Sequence, residues 1–192
     1  MTPSPRERII EGAYSCVARY GLAKTTVEDA AREARVSRAT VYRYFPGGKQ
    51  QLIRETIGWE ASRFFERLMQ AVEGSADFAT LLERALLFAH RAVADHAVLQ
   101  KILQTEPETL LPELTIESHR LLALIKAFLL PPMQRDPDIT PGLDQERAVD
   151  HVARLLLSFI GSPGRWDLED PVQVGELVRT ELLAGLTTPA DG

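Results

Sequence analysis

The stretch that decides the fold runs from residue 26 to residue 45 and reads TVEDAAREARVSRATVYRYF. A first short helix has a capping hydroxyl from Thr25 or Thr26, because a carboxylate, Glu28 or Asp29, stands three residues further on in either register. One face of that helix is an apolar stripe at helical spacing, formed by Val27, Ala30, Ala31 and Ala34. The pattern predicts a capped helix that buries this face.

A second short helix is predicted directly after a turn. The apolar period breaks around Arg35 and Val36, and Ser37 offers the next capping oxygen, for a helix over residues 38–45. Because a helix of two turns is unstable alone in water, we expect Val41 and Phe45 to anchor it on a core. The other faces then carry Arg38, Thr40, Tyr42, Arg43 and Tyr44. Arginine reads guanine edges and hydroxyl groups donate to phosphates, so the two helices are typical of a DNA-binding helix-turn-helix.

The flanking sequence favours this interpretation over two small helices that merely pack together. A helix is predicted over residues 6–20, with apolar positions on one face and Gly21 as its terminating residue. After the pair comes the turn Pro46-Gly47-Gly48, and Lys49 then opens another helix.

In its order and spacing this region resembles the amino-terminal DNA-binding domain of the TetR family of transcriptional regulators, over about residues 5 to 65. The resemblance is carried by Tyr20-Gly21-Leu22, Thr25-Thr26-Val27, Ala30-Ala31, Val36-Ser37, Thr40-Val41-Tyr42-Arg43-Tyr44-Phe45 and Lys49. Two features depart from the family pattern. Arg35 stands where the family usually has a turn glycine, and the turn at residues 46–48 is one residue longer than usual. Arg35 must therefore adopt, or avoid, a conformation that is costly for a non-glycine residue.

The resemblance implies a set of DNA-contacting residues. Positions that commonly hold phosphates correspond to Ser37, Thr40, Tyr42, Tyr44 and Lys49, and positions that usually contact bases correspond to Arg38, Ala39 and Arg43. We add Thr26, at the start of the first short helix, to the predicted set. Two alternatives stay open: Tyr42 packs against the first helix, or Arg43 is a solvated surface charge.

The charge distribution supports a nucleic-acid partner independently of any family. The whole chain of 192 residues carries a formal net charge of −5. Residues 1–60, however, hold ten Lys and Arg against seven Asp and Glu, a balance of +3, which leaves −8 for residues 61–192. A basic module on an acidic body is compatible with a specific DNA-binding protein that has a second task.

Composition restricts the setting of the protein. Cys16 is the single cysteine, so no intrachain disulfide is possible and a reducing compartment is natural. Charged residues interrupt the amino-terminal region, and the longest apolar run, residues 121–130, is too short to cross a bilayer. We therefore expect a cytoplasmic protein.

The remainder of the chain predicts an all-α architecture of about nine helices. Apolar spacing predicts a long helix over residues 49–72, and Gly74-Ser75 marks a boundary after which Asp77 can cap the next helix. Prolines then divide the middle into a short helix near 97–104, a stronger one near 115–130 and a loop at 131–142. The predicted organisation is a DNA-binding domain at 1–49, a connecting helix at 50–74, and a helical ligand-binding and dimerisation domain at 75–192.

Two apolar helices near the carboxyl end resemble in position the pair through which family members dimerise. Two recognition helices about 34 Å apart read consecutive major-groove faces, which gives dimerisation a physical reason. The predicted interface consists of Val149, Val152, Leu156, Phe159, Val174, Leu177, Val178 and Leu182. The alternative is that both helices close the core of the monomer.

No pattern typical of an enzyme, a metal site or a cofactor site is present, and the four histidines are scattered. The resemblance implies a homodimeric regulator, a repressor that leaves a palindromic operator when a small molecule binds. Apolar content predicts a largely apolar ligand, in a pocket lined by Phe64, Phe65, Phe88, His90, Leu103, His119, Leu122, Phe128 and Trp166. A plain core is the alternative, because aromatic stripes are more often core than pocket. The alternative function is a DNA-binding adaptor that a protein partner controls.

Overall fold

The computed structural model describes residues 3–188, and of residues 111–120 it describes the backbone alone. Within this range the chain is helical, and the only β pairing described is an isolated bridge between Ile139 and Thr187. The helices are α1 Pro5–Tyr20, α2 Val27–Glu33, α3 Arg38–Tyr44, α4 Gly48–Val72, α5 Phe78–Ala94, α6 Ala97–Thr105, α7 Pro107–Arg135, α8 Gln145–Gly161 and α9 Pro171–Leu177. A π-helical turn, Val178–Leu182, continues α9. The predicted all-α class is confirmed.

Side-chain caps fix where the first helices begin. Ser4 accepts a hydrogen bond from the backbone N–H of Glu7, whose carboxylate accepts one from the Ser4 N–H, and Pro5 occupies the first helical position of α1. Thr26 and Asp29 form the same reciprocal box at the start of α2. Each box satisfies amide groups that would otherwise lack a partner at a helix start.

The turn between α2 and α3 is built on Arg35. Its φ is 54°, in the left-handed region, so Arg35 adopts the conformation that a glycine would adopt more easily. The Val36 N–H donates to the Ala31 carbonyl at 3.0 Å and the Arg35 N–H donates to the Arg32 carbonyl at 3.2 Å. These two bonds are those of a Schellman motif, which satisfies the last carbonyls of α2 and reverses the chain toward α3.

A single apolar cluster holds the first three helices together. Val41 and Phe45 are fully buried in it, as expected of the residues that anchor a short helix. The other buried members are Ile9, Ile10, Ala13, Val27, Ala30, Ala31, Ala34 and Leu52. Gly12 permits the close approach of α1 and α2, since a Cβ there would lie 3.1 Å from the Ala30 carbonyl oxygen.

The middle of the chain differs from the prediction because α7 runs through prolines. Pro107 is the first residue of the helix, a position where the missing N–H has no consequence. Pro131 and Pro132, however, lie inside the helix. The loop predicted at 131–142 therefore begins only after Arg135. Leu129 and Met133, on either side of the pair, are buried. Their burial offsets the lost backbone bonds, and the Arg135 side chain donates to the Pro131 carbonyl at 2.9 Å.

The described chain divides into two compact units. The first, which we call the DNA-binding unit because it contains the helices predicted to bind DNA, combines residues up to Glu66 with Asp95–Thr115, and the second combines Arg67–Ala94 with residues from Ile116 onward. In the DNA-binding unit, α6 and the start of α7 pack on α1 and α4 through a second apolar cluster of Val17, Leu22, Ile53, Ile102 and Leu110. The unit is therefore discontinuous in sequence, a feature that the predicted division at residue 74 does not contain.

The second unit has a core of its own, in which α5 packs against α8, α9 and the π-helical turn. Its fully buried large side chains include Phe78, Leu82, Leu86, Leu168, Leu177 and Leu182. The Asp136 carboxylate accepts a hydrogen bond from the Phe78 N–H at 2.6 Å, which joins the start of α5 to the loop after α7. Across residues 3–188, none of the helices carries an apolar stretch long enough to span a membrane.

Candidate nucleic-acid interface

Helix α3 presents a polar, cationic face opposite its buried anchor. Arg38, Ala39 and Arg43 are exposed and Tyr42 is 39% exposed, whereas Val41 is fully buried. The predicted base-contacting positions are therefore accessible, and Tyr42 lies on the accessible side rather than in the core. An exposed arginine-rich face on a helix that its other side holds rigidly is suited to entering a major groove.

Ser37 and Thr40 form the amino-terminal edge of that face. The Ser37 hydroxyl accepts the Thr40 N–H at 3.1 Å, and the two hydroxyl oxygens lie 2.8 Å apart. One hydroxyl hydrogen is used in the bond between them. Because each hydroxyl has one hydrogen, the pair keeps one donor for an outside acceptor such as a phosphate oxygen.

Arg38 is held in place by residues of two helices. Its Nε lies 2.9 Å from a carboxylate oxygen of Glu28 on α2, and its guanidinium stands 5.4 Å from the ring centre of Tyr42. The hydrogen bond to the Tyr42 hydroxyl and, after it, the Glu28 carboxylate raise the pKa of Arg38. Glu28 engages Nε and one terminal nitrogen donates to the Tyr42 hydroxyl at 3.4 Å, so α2 and α3 together orient the Arg38 side chain.

The second arginine of α3 stacks on an aromatic neighbour. Arg43 lies 5.2 Å from the ring centre of Tyr44, and Tyr44 is half-buried against the apolar cluster of the first three helices. The ring limits the directions that Arg43 samples. Arg43 thus remains an exposed cation with a restricted orientation.

Two side chains predicted to contact DNA form hydrogen bonds within the protein. The Lys49 ammonium donates to the Ala23 carbonyl at 2.6 Å, and the Thr26 hydroxyl donates to the Asp29 carboxylate at 2.6 Å. In the longer turn, Gly48 has a φ of 63° and the Gly47 N–H donates to the Gln51 side chain at 2.8 Å. Lys49 and Thr26 would have to exchange these partners to bind a phosphate, and their role stays a prediction.

The turn between α1 and α2 is bound by residues that the sequence did not single out. The Ala23 N–H donates to the Glu106 carboxylate at 2.7 Å, and a Cβ on Gly21 would overlap that carboxylate. The Lys101 ammonium donates to the Ala18 carbonyl at 3.0 Å, at the carboxyl end of α1. The α6–α7 segment thereby holds the turn that precedes α2, across more than eighty residues of sequence.

The predicted pocket residues fall in both compact units. Phe64, Phe65 and Leu103 are half-buried in the DNA-binding unit. The second unit contains the half-buried Phe88, His90, Leu122, Phe128 and Trp166. The side chain of His119 lies outside the described residues. Among the side chains that the structure describes, no three metal-binding groups come together.

The predicted dimer residues lie mostly in the core of one chain. Phe159 is half-buried, but the other seven are almost completely covered within the second unit: Val149, Val152, Leu156, Val174, Leu177, Val178 and Leu182. Residues buried in this way leave little area for a contact with another copy. The same helices also carry less buried apolar residues, and Val172 is 75% exposed. A dimer through α8 and α9 stays a prediction.

Comparison with known proteins identifies the amino-terminal part. Residues 9–56 match the family described as bacterial regulatory proteins, tetR family. The uncharacterized HTH-type transcriptional regulator Rv1255c of Mycobacterium tuberculosis is 26% identical over 172 residues, which cover 90% of this chain and 82% of that protein. The HTH-type transcriptional regulator BetI of Agrobacterium fabrum is 42% identical over 57 residues, 30% of this chain and 27% of that one.

A solved structure extends the likeness of fold to nearly the whole chain. The TetR family repressor AlkX from Dietzia sp., implicated in biodegradation of n-alkanes, aligns with a TM-score of 0.65 at 20% identity and covers 96% of this chain and 98% of that one. The matched residues 9–56 include α2, the Arg35 turn and α3. Residues 9–56 therefore contain the helix-turn-helix of the tetR family of bacterial regulatory proteins, and over most of its length the chain is similar to an HTH-type transcriptional regulator.

Proposed function

We propose that the protein is a homodimeric repressor that binds a palindromic operator through α3 and leaves it when a small, largely apolar molecule binds the second unit. The DNA-binding part of this proposal rests on the contrast between the exposed and the buried side chains of α3. Arg38 and Arg43 are exposed and oriented by neighbours, while Val41 and the adjoining Phe45 are fully buried. A helix fixed in this way presents its cations at defined positions, as sequence recognition requires.

Selection of random duplex DNA by the full chain at physiological salt tests this part. Enrichment of an inverted repeat with half-sites about one helical turn apart is the expected result, because two copies of α3 must reach consecutive major-groove faces. Arg38→Ala and Arg43→Ala should each relax the sequence at one position of the half-site. Arg91→Ala, an exposed arginine of the second unit, is the matched control for loss of a charge.

The ligand part of the proposal is supported by the half-buried aromatic residues of the second unit and by the path of the chain. The chain passes between the units within α4, just before α6 and within α7. Since Glu106 and Lys101 bind the α1–α2 turn, a change carried along this path reaches the residues that precede α2. A ligand that prefers the conformation with the lower DNA affinity is sufficient to release the operator.

A panel of apolar small molecules tests the ligand part. Compounds that raise the Tm of the free protein should weaken operator binding about 5- to 150-fold, the usual range of such coupling. Glu106→Ala should retain the rise in Tm but reduce the release. If no compound has either effect and a stoichiometric protein partner co-purifies on operator DNA, control by a protein partner replaces control by a ligand, while the DNA-binding part stands.

A further inference from the structure

Arg35 is a non-glycine residue in a backbone conformation that favours glycine. Among residues 3–188 it alone, apart from glycines, has a positive φ, 54°. The Schellman hydrogen bonds at Val36 and Arg35 hold this conformation, and they are backbone bonds that a glycine would also make. The turn itself therefore gives no reason for an arginine side chain.

The Arg35 side chain also adds nothing visible to the folded state of the free protein. It is exposed, and the structure gives it no carboxylate partner within the part of the chain that is described. The neighbouring arginines differ from it in this respect: Arg32 pairs with Asp29, and Arg38 pairs with Glu28. An unfavourable backbone conformation and an unused guanidinium at the same residue point to a role outside the free chain.

The position of Arg35 indicates what that role is. The turn joins the end of α2 to the start of α3, and Arg35 precedes the cap residue Ser37 by two positions. In a helix-turn-helix complex the amino-terminal residues of the recognition helix contact base edges, so this end of α3 lies in the groove and the turn lies near the phosphates that border it. A guanidinium binds a phosphate with two parallel hydrogen bonds, which glycine cannot do.

We propose that Arg35 is a phosphate-binding residue of the DNA complex, and that its contact with the backbone of the operator offsets the unfavourable conformation that it adopts in the free protein. This inference rests on the proposed binding of DNA through α3. It adds a sequence-independent contact beside the Ser37–Thr40 edge. It also predicts that a glycine at this position raises the stability of the free chain and lowers its affinity for DNA.

Two substitutions separate the backbone of Arg35 from its charge. Arg35→Gly removes both the guanidinium and the unfavourable conformation, whereas Arg35→Gln removes the guanidinium and keeps a Cβ at positive φ. Operator affinity is measured for each variant at several KCl concentrations between about 50 and 200 mM. Over that interval the affinity of a protein that makes several phosphate contacts falls by orders of magnitude. Arg91→Gln in the second unit is the control for a general change in net charge.

We expect both variants to reduce the slope of log affinity against log salt by about 0.9 for each protomer bound. Both should weaken binding to the operator and to unrelated duplexes by a similar factor, because a phosphate contact carries no sequence information. Arg35→Gly alone should unfold at a higher denaturant concentration than the parent protein, and Arg91→Gln should keep the parent salt slope.

Other outcomes overturn the inference in distinguishable ways. Unchanged affinity and slope in both variants would show that Arg35 makes no contact with DNA. A loss confined to one base of the operator would show a base contact instead of a phosphate contact. If the parent protein itself shows no salt-dependent DNA binding, the proposed function fails before the variants are considered.

Discussion

Gly21→Ala should destabilise the DNA-binding unit for two separable reasons. Gly21 has φ 87° and ψ 174°, a region that is essentially restricted to glycine, and a side chain there costs about 1–3 kcal/mol. In addition, the new Cβ would occupy the space of the Glu106 carboxylate, which is half-buried and accepts the Ala23 N–H at 2.7 Å. The carboxylate is the end of a flexible side chain, so it moves aside readily but loses that hydrogen bond.

A double-mutant cycle separates the two contributions. A hydrogen bond to a charged group contributes about 1.5–3 kcal/mol, and the solvent exposure of this one favours the lower value. We expect Glu106→Ala to destabilise the unit by about 1.5 kcal/mol and Gly21→Ala by about 2.5–4.5 kcal/mol, the sum of both terms. Since the hydrogen bond can be lost only once, the double variant should resemble Gly21→Ala and fall short of additivity by about 1.5 kcal/mol.

The chain offers a local reporter for this measurement. Of the two tryptophans, Trp59 lies in the DNA-binding unit, with its ring centre 5.7 Å from that of Tyr14, and Trp166 lies in the second unit. In a Trp166→Phe background, tryptophan fluorescence during guanidinium unfolding follows the DNA-binding unit. Glu108→Ala, an exposed glutamate at the start of α7, is the control and should combine additively with Gly21→Ala. Additivity of Gly21→Ala with Glu106→Ala would refute the reasoning.

Three further predictions concern the first three helices. Phe45→Ala removes the fully buried anchor of α3 and should lower the free energy of unfolding by about 3–5 kcal/mol, measured with guanidinium; a change below 1 kcal/mol would contradict the anchor role. Ser37→Ala removes the cap of α3 and should lower stability by about 1 kcal/mol, visible as a lower Tm, with Ser62→Ala on α4 as an exposed control. The hydrogen bond from Thr26, and after it that from Arg32, holds the pKa of Asp29 below its ordinary value. Its stabilising effect is therefore present above the ordinary pKa of aspartate and lost as the pH falls through the lower, folded-state pKa. The difference in urea midpoint between the parent and Asp29→Asn should shrink on acidification from pH 7, and a constant difference would contradict the assignment.

Local signals in the sequence predicted the DNA-binding helices closely. The structure contains the Thr26–Asp29 cap, the buried anchors Val41 and Phe45, and the positive φ of Arg35. Each of these features depends on neighbours a few residues away. Such features are determined by short-range hydrogen bonding and helical periodicity, which can be identified directly in the order of residues.

Long-range features were not predictable in the same way. The bond between Glu106 and Ala23 spans 83 positions and leaves no periodic trace, so the place of α6 in the DNA-binding unit could not be inferred. Pro131 and Pro132 indicated a helix end, but burial of Leu129 and Met133 outweighed that local preference. For α8 and α9, apolar spacing alone does not distinguish a monomer core from a dimer interface, because both bury one helical face.

The discontinuity of the DNA-binding unit has a consequence for engineering. A chimera that exchanges only the first 66 residues between regulators would bring a foreign α6 against Val17, Leu22 and Ile53 and would lose the matched pair of Gly21 and Glu106. The smallest part that can be transferred as a folded unit therefore consists of two segments, residues up to Glu66 and Asp95–Thr115, which must be exchanged together. A chimera should therefore acquire the operator preference of the donor only if it receives both segments.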